Sequence, residues 1–400
     1  MRSLLCGLLA AAAVACRDGA PPTQPIDALA DAQVGYDISV IDAAQTLGGS
    51  LSVPNSIDNR GTIAGFSNTN GDTTRQAVLW RDGAMIPLGT LGGPNSNVQW
   101  PGQNNTGMVV GIAETAELDP NGEDWSCTPF FATGEATGHV CRGFVWENGV
   151  MTPLPTFGGT HGFATGVNSR GQVVGWAETD VEDDTCNEPQ VLQFRAALWE
   201  PRTGTMRELS PLPGDSTSAA TAINERGQVV GISGECDVAV GQRSARQSVL
   251  WESNGAVVEI GNLGGDFWHT PMAINDSGIV VGFSNPAAVP GTTFQPLPFV
   301  WSRQRGIAPL ELLPGDVWGQ AFGVNARGQV VGRSCGATCT AVTWKDGEVY
   351  DLNPPASENY PHHLAAARDI DDAGVITGNL VKDRVGPHLP FIATPSRVRP

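Results

Sequence analysis

Aromatic side chains recur at one place in the internal pattern of the chain, just after short Gly-rich segments. The set comprises Trp100, Phe163, Trp268, Trp318 and Tyr360. Flat aromatic faces at equivalent positions suit stacking on a sugar ring or gripping a peptide. The same rings would also serve as packing between structural units. The sequence therefore predicts a ligand-binding set at these five residues, with core packing as the open alternative.

Three aspartates form a second candidate site. Asp215, Asp266 and Asp316 each follow a Gly at equivalent positions of consecutive repeats. Ca²⁺ prefers oxygen ligands, so three carboxylates brought together would bind it. Aspartates beside turns more often accept hydrogen bonds from neighbouring backbone groups. The sequence favours this second interpretation, so no cofactor is predicted, and structural calcium stays the alternative.

Recognisable catalytic motifs are scarce. The chain has no phosphate-binding loop and no His-Glu-x-x-His zinc-protease motif. The catalytic residues are therefore unknown, and a binding protein is favoured over an enzyme. The enzymatic alternative is a carbohydrate-active protein that uses paired carboxylates as acid and base. It predicts buried carboxylates beside the aromatic rings, at least one of them with a raised pKa.

Composition and charge narrow the class of protein. Gly occurs 50 times and Pro 29 times in 400 residues, which is unfavourable for long helices and typical of a turn-dense all-β chain. The net charge is −18, and Lys occurs only at Lys345 and Lys382. A chain of this charge repels phosphate backbones and anionic membranes at long range. Nucleic-acid binding is therefore not expected.

The N-terminus has the features of an export signal. Residues 1–15 carry one cation, Arg2, before an apolar run that ends in small residues, which is typical of a secretory signal peptide. The end of this run resembles a bacterial lipobox with Cys16 as the lipidated residue, and an ordinary cleavage site is the alternative. Residues 16–35 are predicted to be a flexible tether. We expect an exported protein, either an outer-membrane lipoprotein or a periplasmic or extracellular one, that contacts the membrane only through its lipid anchor.

One string recurs seven times along the rest of the chain. Its clearest copies read GVNSRGQVVGWA (166–177), AINERGQVVGIS (222–233) and GVNARGQVVGRS (323–334). The Asn opens a turn, the following Gly takes a left-handed conformation, and the apolar residues after it form a short buried strand. Most copies continue into a second hairpin whose first strand ends in Trp, as at Trp199 and Trp251.

Four short antiparallel strands in about 50 residues are the signature of a β-propeller blade. The sequence therefore predicts an all-β, seven-bladed β-propeller over 36–395. The predicted repeats lie near 45–89, 90–155, 156–210, 211–261, 262–311, 312–352 and 353–395. The last repeat lacks a fourth strand, and a surplus strand lies at 36–42. We expect this N-terminal strand to complete the last blade and close the ring.

At these repeats the chain resembles the bacterial extracellular-repeat family named after a His-Ala-Phe tripeptide (HAF repeats). The Leu-Gly-Gly linker, the Ile-Asn-x-x-Gly-x-Val-Val-Gly core and the Leu-Trp-x-x-Gly hairpin all match, over residues 45–395. The tripeptide itself is missing, because its slots read Gln76-Ala77-Val78 or Arg142-Gly143-Phe144. The resemblance implies an exported propeller and assigns no activity.

Repeat length varies at one place, the loop between the second and third strands, where 12 to 35 residues separate the strand-two Gly from the Trp. All six cysteines after Cys16 fall in or beside these loops. Their positions predict disulfides Cys127–Cys141, Cys186–Cys236 and Cys335–Cys339. No Cys pattern typical of a zinc site is present.

Variable loops on a rigid scaffold usually carry function. We therefore expect a monomeric, non-catalytic propeller that binds a glycan or protein partner through this long-loop face. The alternatives are the carbohydrate-active enzyme and a purely structural envelope protein.

Overall fold

The computed structural model describes residues 35–396, except 124–126, 133, 135, 238–241, 292 and 356–359. The predicted signal peptide, the lipidation residue Cys16 and the tether up to residue 34 lie outside the described residues. Within them, no helix is long and apolar enough to cross a membrane.

The described residues form an all-β structure whose only helices are three short 3-10 turns. The turns are Ala43–Gln45, Thr128–Phe130 and Lys382–Arg384. The first thirteen strands are β1 (Tyr36–Val40), β2 (Gly48–Ile57), β3 (Ile63–Thr69), β4 (Arg75–Arg81), β5 (Ala84–Gly89), β6 (Gly92–Asn97), β7 (Val109–Leu118), β8 (His139–Glu147), β9 (Val150–Pro153), β10 (Gly158–Val167), β11 (Val173–Glu182), β12 (Leu192–Glu200) and β13 (Thr205–Leu209). The others are β14 (Thr217–Ile223), β15 (Val229–Gly234), β16 (Gln247–Trp251), β17 (Val257–Gly261), β18 (Gly264–Ile274), β19 (Val280–Pro286), β20 (Leu297–Ser302), β21 (Gly306–Pro309), β22 (Trp318–Val324), β23 (Val330–Cys335), β24 (Cys339–Lys345), β25 (Glu348–Asp351), β26 (His363–Ile370), β27 (Ile376–Val381) and β28 (His388–Pro395).

Consecutive strands pair into four-stranded antiparallel sheets. Five such sheets are separate: β6–β9, β10–β13, β14–β17, β18–β21 and β22–β25. An eight-stranded sheet holds β2–β5, β26–β28 and β1. Strand β1 pairs antiparallel with β28 from Tyr36 opposite Pro395 to Val40 opposite Phe391. A single parallel bridge, Leu51 to His388, joins β2 to β28. Repeated sheets of this kind make a β-propeller fold.

The hydrophobic core lies between neighbouring sheets. Trp251 on β16 is completely buried in a cluster with Val174 and Leu198 of the preceding repeat. Its indole N–H donates to the Ser210 carbonyl at 2.7 Å, and Trp199 makes the equivalent bond to the Pro155 carbonyl at 3.0 Å. A buried repeat Trp of this kind therefore fills the space between two sheets and satisfies its one polar group on a backbone carbonyl that precedes its own sheet, as Trp344 also does with the Glu311 carbonyl.

The two glycines of the repeated string are required for different reasons. Gly227 has φ +77°, the left-handed conformation that the turn needs. Gly231 lies in β15, where a Cβ atom would be 2.1 Å from the Ala219 carbonyl oxygen of β14. The first glycine makes the turn and the second allows the inner strands to approach each other.

The turn asparagine links each repeat to the next. The Asn224 Oδ1 accepts from the backbone N–H groups of Arg226 and Gln228, which closes its own turn. Its Nδ2 donates to the Asn275 carbonyl of the following repeat at 3.1 Å. The same inter-repeat bond recurs from Asn104 to Asn168, Asn168 to Asn224, Asn275 to Asn325 and Asn325 to Asp371.

The first and last repeats, which carry Asp in place of this Asn, meet through other groups. Asn59 Nδ2 donates to Asp372 Oδ2 at 2.8 Å, and the Asp372 backbone N–H donates to Asn59 Oδ1 at 3.0 Å. Asp369 Oδ2 accepts from the Ile57 backbone N–H at 2.9 Å. Desolvation raises the pKa of Asp369 to about 7.

All three predicted disulfides are confirmed: Cys127–Cys141, Cys186–Cys236 and Cys335–Cys339. Two of them close a variable loop on itself. The Cys186–Cys236 bond joins the variable loops of neighbouring repeats, and the strands on either side belong to separate sheets.

Replacing the turn asparagine tests its role between repeats. Asn224→Ala leaves its buried partners unsatisfied, so the free energy of unfolding should fall by about 1–3 kcal/mol in urea denaturation. The matched control is Asn254→Ala, which removes an exposed turn side chain with one local hydrogen bond and should cost about 0.5 kcal/mol or less. Equal losses in the two variants would contradict the inter-repeat role.

The carboxylate of Asp369, between the first and last repeats, predicts a pH dependence of the free energy of unfolding. Because the folded-state pKa of Asp369 lies near 7, above its usual value of 3.8, the folded state binds the proton more tightly. The free energy of unfolding should therefore fall as pH rises from about 4 to 7, by no more than about 1.4 kcal/mol per pH unit from this group. In Asp369→Asn this part of the slope should disappear, whereas exposed Asp346→Asn should keep it. Identical slopes in all three proteins, measured by denaturation at several pH values, would refute the assignment.

Candidate functional site

A cavity of about 560 Å³ lies where the inner strands of the first and last repeats meet three variable loops. Strands β2 and β26 contribute Val53 and Ala366 to its wall. Loops between second and third strands contribute Pro129, Thr338 and Arg384. We call this the loop cavity. The segments that the sequence predicts to be variable thus converge on one space, whose volume suits a small ligand.

Four arginines line the loop cavity: Arg75, Arg333, Arg368 and Arg384. No Asp or Glu is among the described residues that line it. The chain as a whole carries a net charge of −18. The cavity is therefore a local concentration of positive charge in a strongly acidic protein.

Arg333 and Arg368 share one aromatic floor. Their guanidinium carbons stand 5.7 Å and 4.8 Å from the centre of the Phe322 ring, and Arg333 also lies 4.9 Å from the centre of the Trp318 ring. Cation–π attraction holds both groups in place without neutralising them. Their side-chain partners are neutral amides, because Arg333 donates to Gln320 Oε1 and Arg368 donates to Asn379 Oδ1.

Arg75 also lines the loop cavity. Its guanidinium lies 4.0 Å from the centre of the Phe66 ring. It donates to Asn68 Oδ1 and to the Phe130 carbonyl, both at 2.9 Å. The second bond anchors the long loop of the second repeat at the cavity. Arg384 is exposed at the rim.

These arginines stay charged at neutral pH. Desolvation lowers the pKa of Arg75 and of Arg333 to about 10. It lowers the pKa of Arg368 to about 9, and the charge of Arg333 contributes to that decrease. Because all three pKa values lie above 7, the cavity keeps at least three positive charges.

Two histidines complete the polar lining. His363 Nε2 lies 2.7 Å from the Cys339 carbonyl oxygen, so it carries the proton and donates. Burial, together with the charge of Arg368, lowers the pKa of His388. A neutral His388 adds no charge at pH 7, and acidification would make the cavity more positive.

The arginines were absent from the sequence prediction, although a signal for them exists. Arg333 follows the strand-two Gly, where most repeats have Phe66, Ile112, Trp176, Ile232 or Phe283. Arg368 lies three residues before the turn Asp, where the fifth and sixth repeats have Met272 and Phe322. Comparing the repeats with one another would have singled out Arg333, at a position where five repeats have an apolar side chain. The Arg368 position gives a weaker signal, because Thr165 and Thr221 also occur there.

The predicted aromatic set does not form one ring. Phe163 is completely buried and Trp100 is 8% exposed, and the two rings pack edge to face at 5.2 Å. Neither offers a face to a ligand, so for these two residues the ligand-binding prediction is corrected to core packing. Trp268 and Trp318 lie apart from them and both contact Phe294, at 5.1 Å and 6.1 Å.

Tyr360 belongs to neither group. Its ring packs against His362 at 5.3 Å, and burial raises its pKa. Trp318 is the predicted residue that lies beside a charged group of the loop cavity, through its contact with Arg333.

The three predicted aspartates stay apart. Asp215 accepts a hydrogen bond from Ser233 and Asp316 one from Ser334, each at 2.6 Å within its own repeat. Asp266 is exposed on β18. Among the described residues, none of the three belongs to a cluster that could hold a metal ion. The hydrogen bonds of Asp215 and Asp316 match aspartates that stabilise the sheet of their own repeat.

A buried carboxylate pair lies near the aromatic core but away from the loop cavity. Burial raises the pKa of Glu178, whose Oε2 accepts from the His161 backbone N–H at 2.7 Å. Glu123 Oε1 accepts from the Val191 backbone N–H at 2.7 Å. Both side chains are 0% exposed and neither lines the loop cavity. The pair has the burial, and Glu178 the raised pKa, that the enzymatic alternative predicts, but both side chains are closed to solvent and accept hydrogen bonds from backbone N–H groups, so they offer no surface to a substrate.

A Gly-x-Ser-x-Gly string, residues 332–336, also serves the fold. Ser334 lies within β23 and is completely buried. Its hydroxyl accepts from the Leu313 backbone N–H and donates to Asp316. A nucleophile needs an exposed strand-to-helix turn with a histidine beside it, and Ser334 has neither.

Truncation of a predicted ligand-binding ring tests its reassignment to the core. Phe163→Ala should lower the free energy of unfolding by about 3–5 kcal/mol in urea denaturation, because the site is fully buried. Phe294→Ala, at a ring that is 39% exposed, should cost clearly less. Wild-type stability of Phe163→Ala would contradict the core assignment.

Comparison with solved structures shows the fold. An oligogalacturonate lyase from Vibrio parahaemolyticus aligns with a TM-score of 0.51 and 10% identity, over 90% of this chain and 97% of that chain. An oligogalacturonate lyase in complex with manganese aligns with a TM-score of 0.50 and 10% identity, over 92% and 95% of the two chains. Virginiamycin B lyase from Staphylococcus aureus aligns with a TM-score of 0.48 and 10% identity, over 89% of this chain and 99% of that chain. No model of a known protein family and no curated protein sequence matches the chain. The chain is thus similar to propeller-like proteins in fold.

Proposed function

We propose that the protein is an exported, non-catalytic binding protein, built as a closed seven-bladed propeller, that takes a partner into the loop cavity. The observation that carries this proposal is the cavity itself, lined by inner strands and by variable loops of three repeats. Acid–base catalysis lacks support at the loop cavity, because no Asp or Glu is among the described residues that line the cavity.

The pairing of the strands supports seven blades and a closed ring. Five blades are the separate sheets, and the eight-stranded sheet divides into β2–β5 and β26–β28 with β1. The bonds between Asn59 and Asp372 join the first blade to the last. A closed ring has no exposed sheet edge between its ends, which protects it from aggregation.

The disulfides support export. Three cystine bonds persist in oxidising compartments and are rare in the cytosol. Export through a signal peptide with lipidation at Cys16, and membership of the HAF-repeat family, belong to the same proposal. A monomer and the absence of nucleic-acid binding remain predictions from the sequence.

Blocking the cavity mouth tests the proposed site. Thr338 is exposed, lines the loop cavity and lies in the loop closed by Cys335–Cys339. Thr338→Trp should weaken binding to any partner found on glycan and protein arrays by about tenfold or more, equivalent to about 1.4 kcal/mol. Ala337→Trp places the same side chain on the neighbouring exposed residue, outside the cavity lining, and should retain binding. A partner held equally by both variants, or the absence of any specific binder both on the arrays and in a screen of small molecules, would contradict the proposal.

A further inference from the structure

We propose that the ligand of the loop cavity is a small anion with carboxylate, sulfate or phosphate groups, bound by Arg333 and Arg368 and faced by Arg75. This inference rests on the proposed function and names the chemistry of its ligand.

The first argument is charge balance. Arg333 and Arg368 are desolvated, close to each other and paired only with amide oxygens. Neither forms an ion pair with any described carboxylate. Desolvated charges without a counter-ion are costly, and two of the same sign beside each other are more so. A bound anion would supply the missing opposite charge.

The second argument is the geometry of the donors. Gln320 Oε1 accepts hydrogen bonds from Nε and Nη2 of Arg333, and Asn379 Oδ1 accepts one from Nε of Arg368. Nη1 of Arg333 and both Nη atoms of Arg368 have no hydrogen-bond partner among the described residues. The Phe322 ring lies 5.7 Å from the guanidinium carbon of Arg333 and 4.8 Å from that of Arg368, which helps to hold both groups in position. Oriented guanidinium N–H groups bind oxyanions through paired, charge-assisted hydrogen bonds.

The third argument is selectivity. No carboxylate is among the described lining residues, so a cation would meet only repulsion and a neutral molecule would leave the arginines unpaired. The volume of about 560 Å³ admits a small molecule or the end of a chain and excludes a folded protein. The cavity therefore selects a ligand that is both anionic and small.

Calorimetric titration of the full chain at fixed ionic strength tests the inference. The probes are citrate, sodium sulfate and inorganic phosphate, with maltotriose as the neutral probe. We expect at least one anion to bind and maltotriose not to bind. Citrate against the two inorganic ions distinguishes a carboxylate site from a tetrahedral oxyanion site.

Substitutions then locate the anion. Arg368→Gln and Arg333→Gln should each weaken its binding about 10- to 100-fold, the loss expected for one charge-assisted hydrogen-bonding partner. Arg81→Gln removes the same charge from an exposed hairpin of the first repeat and should change affinity less than about twofold. Because the cavity substitutions relieve like-charge repulsion, their melting temperatures should equal or exceed that of the wild type, which also shows that they fold.

Three results would overturn the inference: no binding of any of the three anions, equal weakening by Arg81→Gln, or melting temperatures that fall in Arg333→Gln and Arg368→Gln while affinity is unchanged. Failure of the anion inference is separable from failure of the proposed function. Suppose that a neutral partner loses its binding in Thr338→Trp but keeps it in Arg368→Gln. This result would contradict the anion inference and would leave the loop cavity as the binding site.

Discussion

The amide of the turn asparagine is the interaction on which the architecture depends. One side chain closes its own turn through Oδ1 and reaches the next repeat through Nδ2, as Asn224 does towards Asn275. The bond fixes the position of each inner strand relative to its neighbour, and the Trp behind it fills the gap between the sheets. Since every repeat contacts mainly its neighbours, the same local bond sets the arrangement of the whole chain. Where Asp replaces Asn, at the first and last repeats, the seam uses Asn59, Asp372 and Asp369 in its place.

A scaffold fixed in this way leaves the loops between second and third strands free to differ. Disulfides constrain three sets of them, and Arg75 binds the longest through the Phe130 carbonyl. The cavity under these loops takes its character from two residues that break the repeat, Arg333 and Arg368. Arg333 occupies a position where five other repeats place an apolar side chain, and both guanidinium groups lie against Phe322, so the scaffold holds them in a poorly solvated place. Their charge is therefore a cost to the fold, which favours a role in binding over a role in stability.

The local structure was predictable from the sequence because the same turn and strand pattern occurs in seven copies, and each copy supports the interpretation of the others. The string around Asn224 and Gly227 encodes a turn and a buried strand in every copy, and the Cys positions between aligned strands limited the plausible pairings to the three observed. The surplus strand at 36–42 was expected to pair with the last repeat, and β1 pairs with β28.

The candidate site was predictable only in part. The variable loops were expected to carry the site, and three of them line the loop cavity. Trp100 and Phe163 proved to be core, because a sequence position just after a linker does not say which way a ring points. The arginines were overlooked because single cations in a strand carry no motif. Their closeness to one another arises from the folding of β23 against β26, which no spacing along the chain reveals.

The most direct measurement is a crystal structure of the protein soaked in sodium selenate, with anomalous data collected at the selenium edge. We expect an anomalous selenium peak in the loop cavity about 4 Å from guanidinium nitrogens of both Arg333 and Arg368, with selenate oxygens within about 3 Å of those nitrogens. A cavity without selenium, in crystals whose surface sites are occupied, would contradict it.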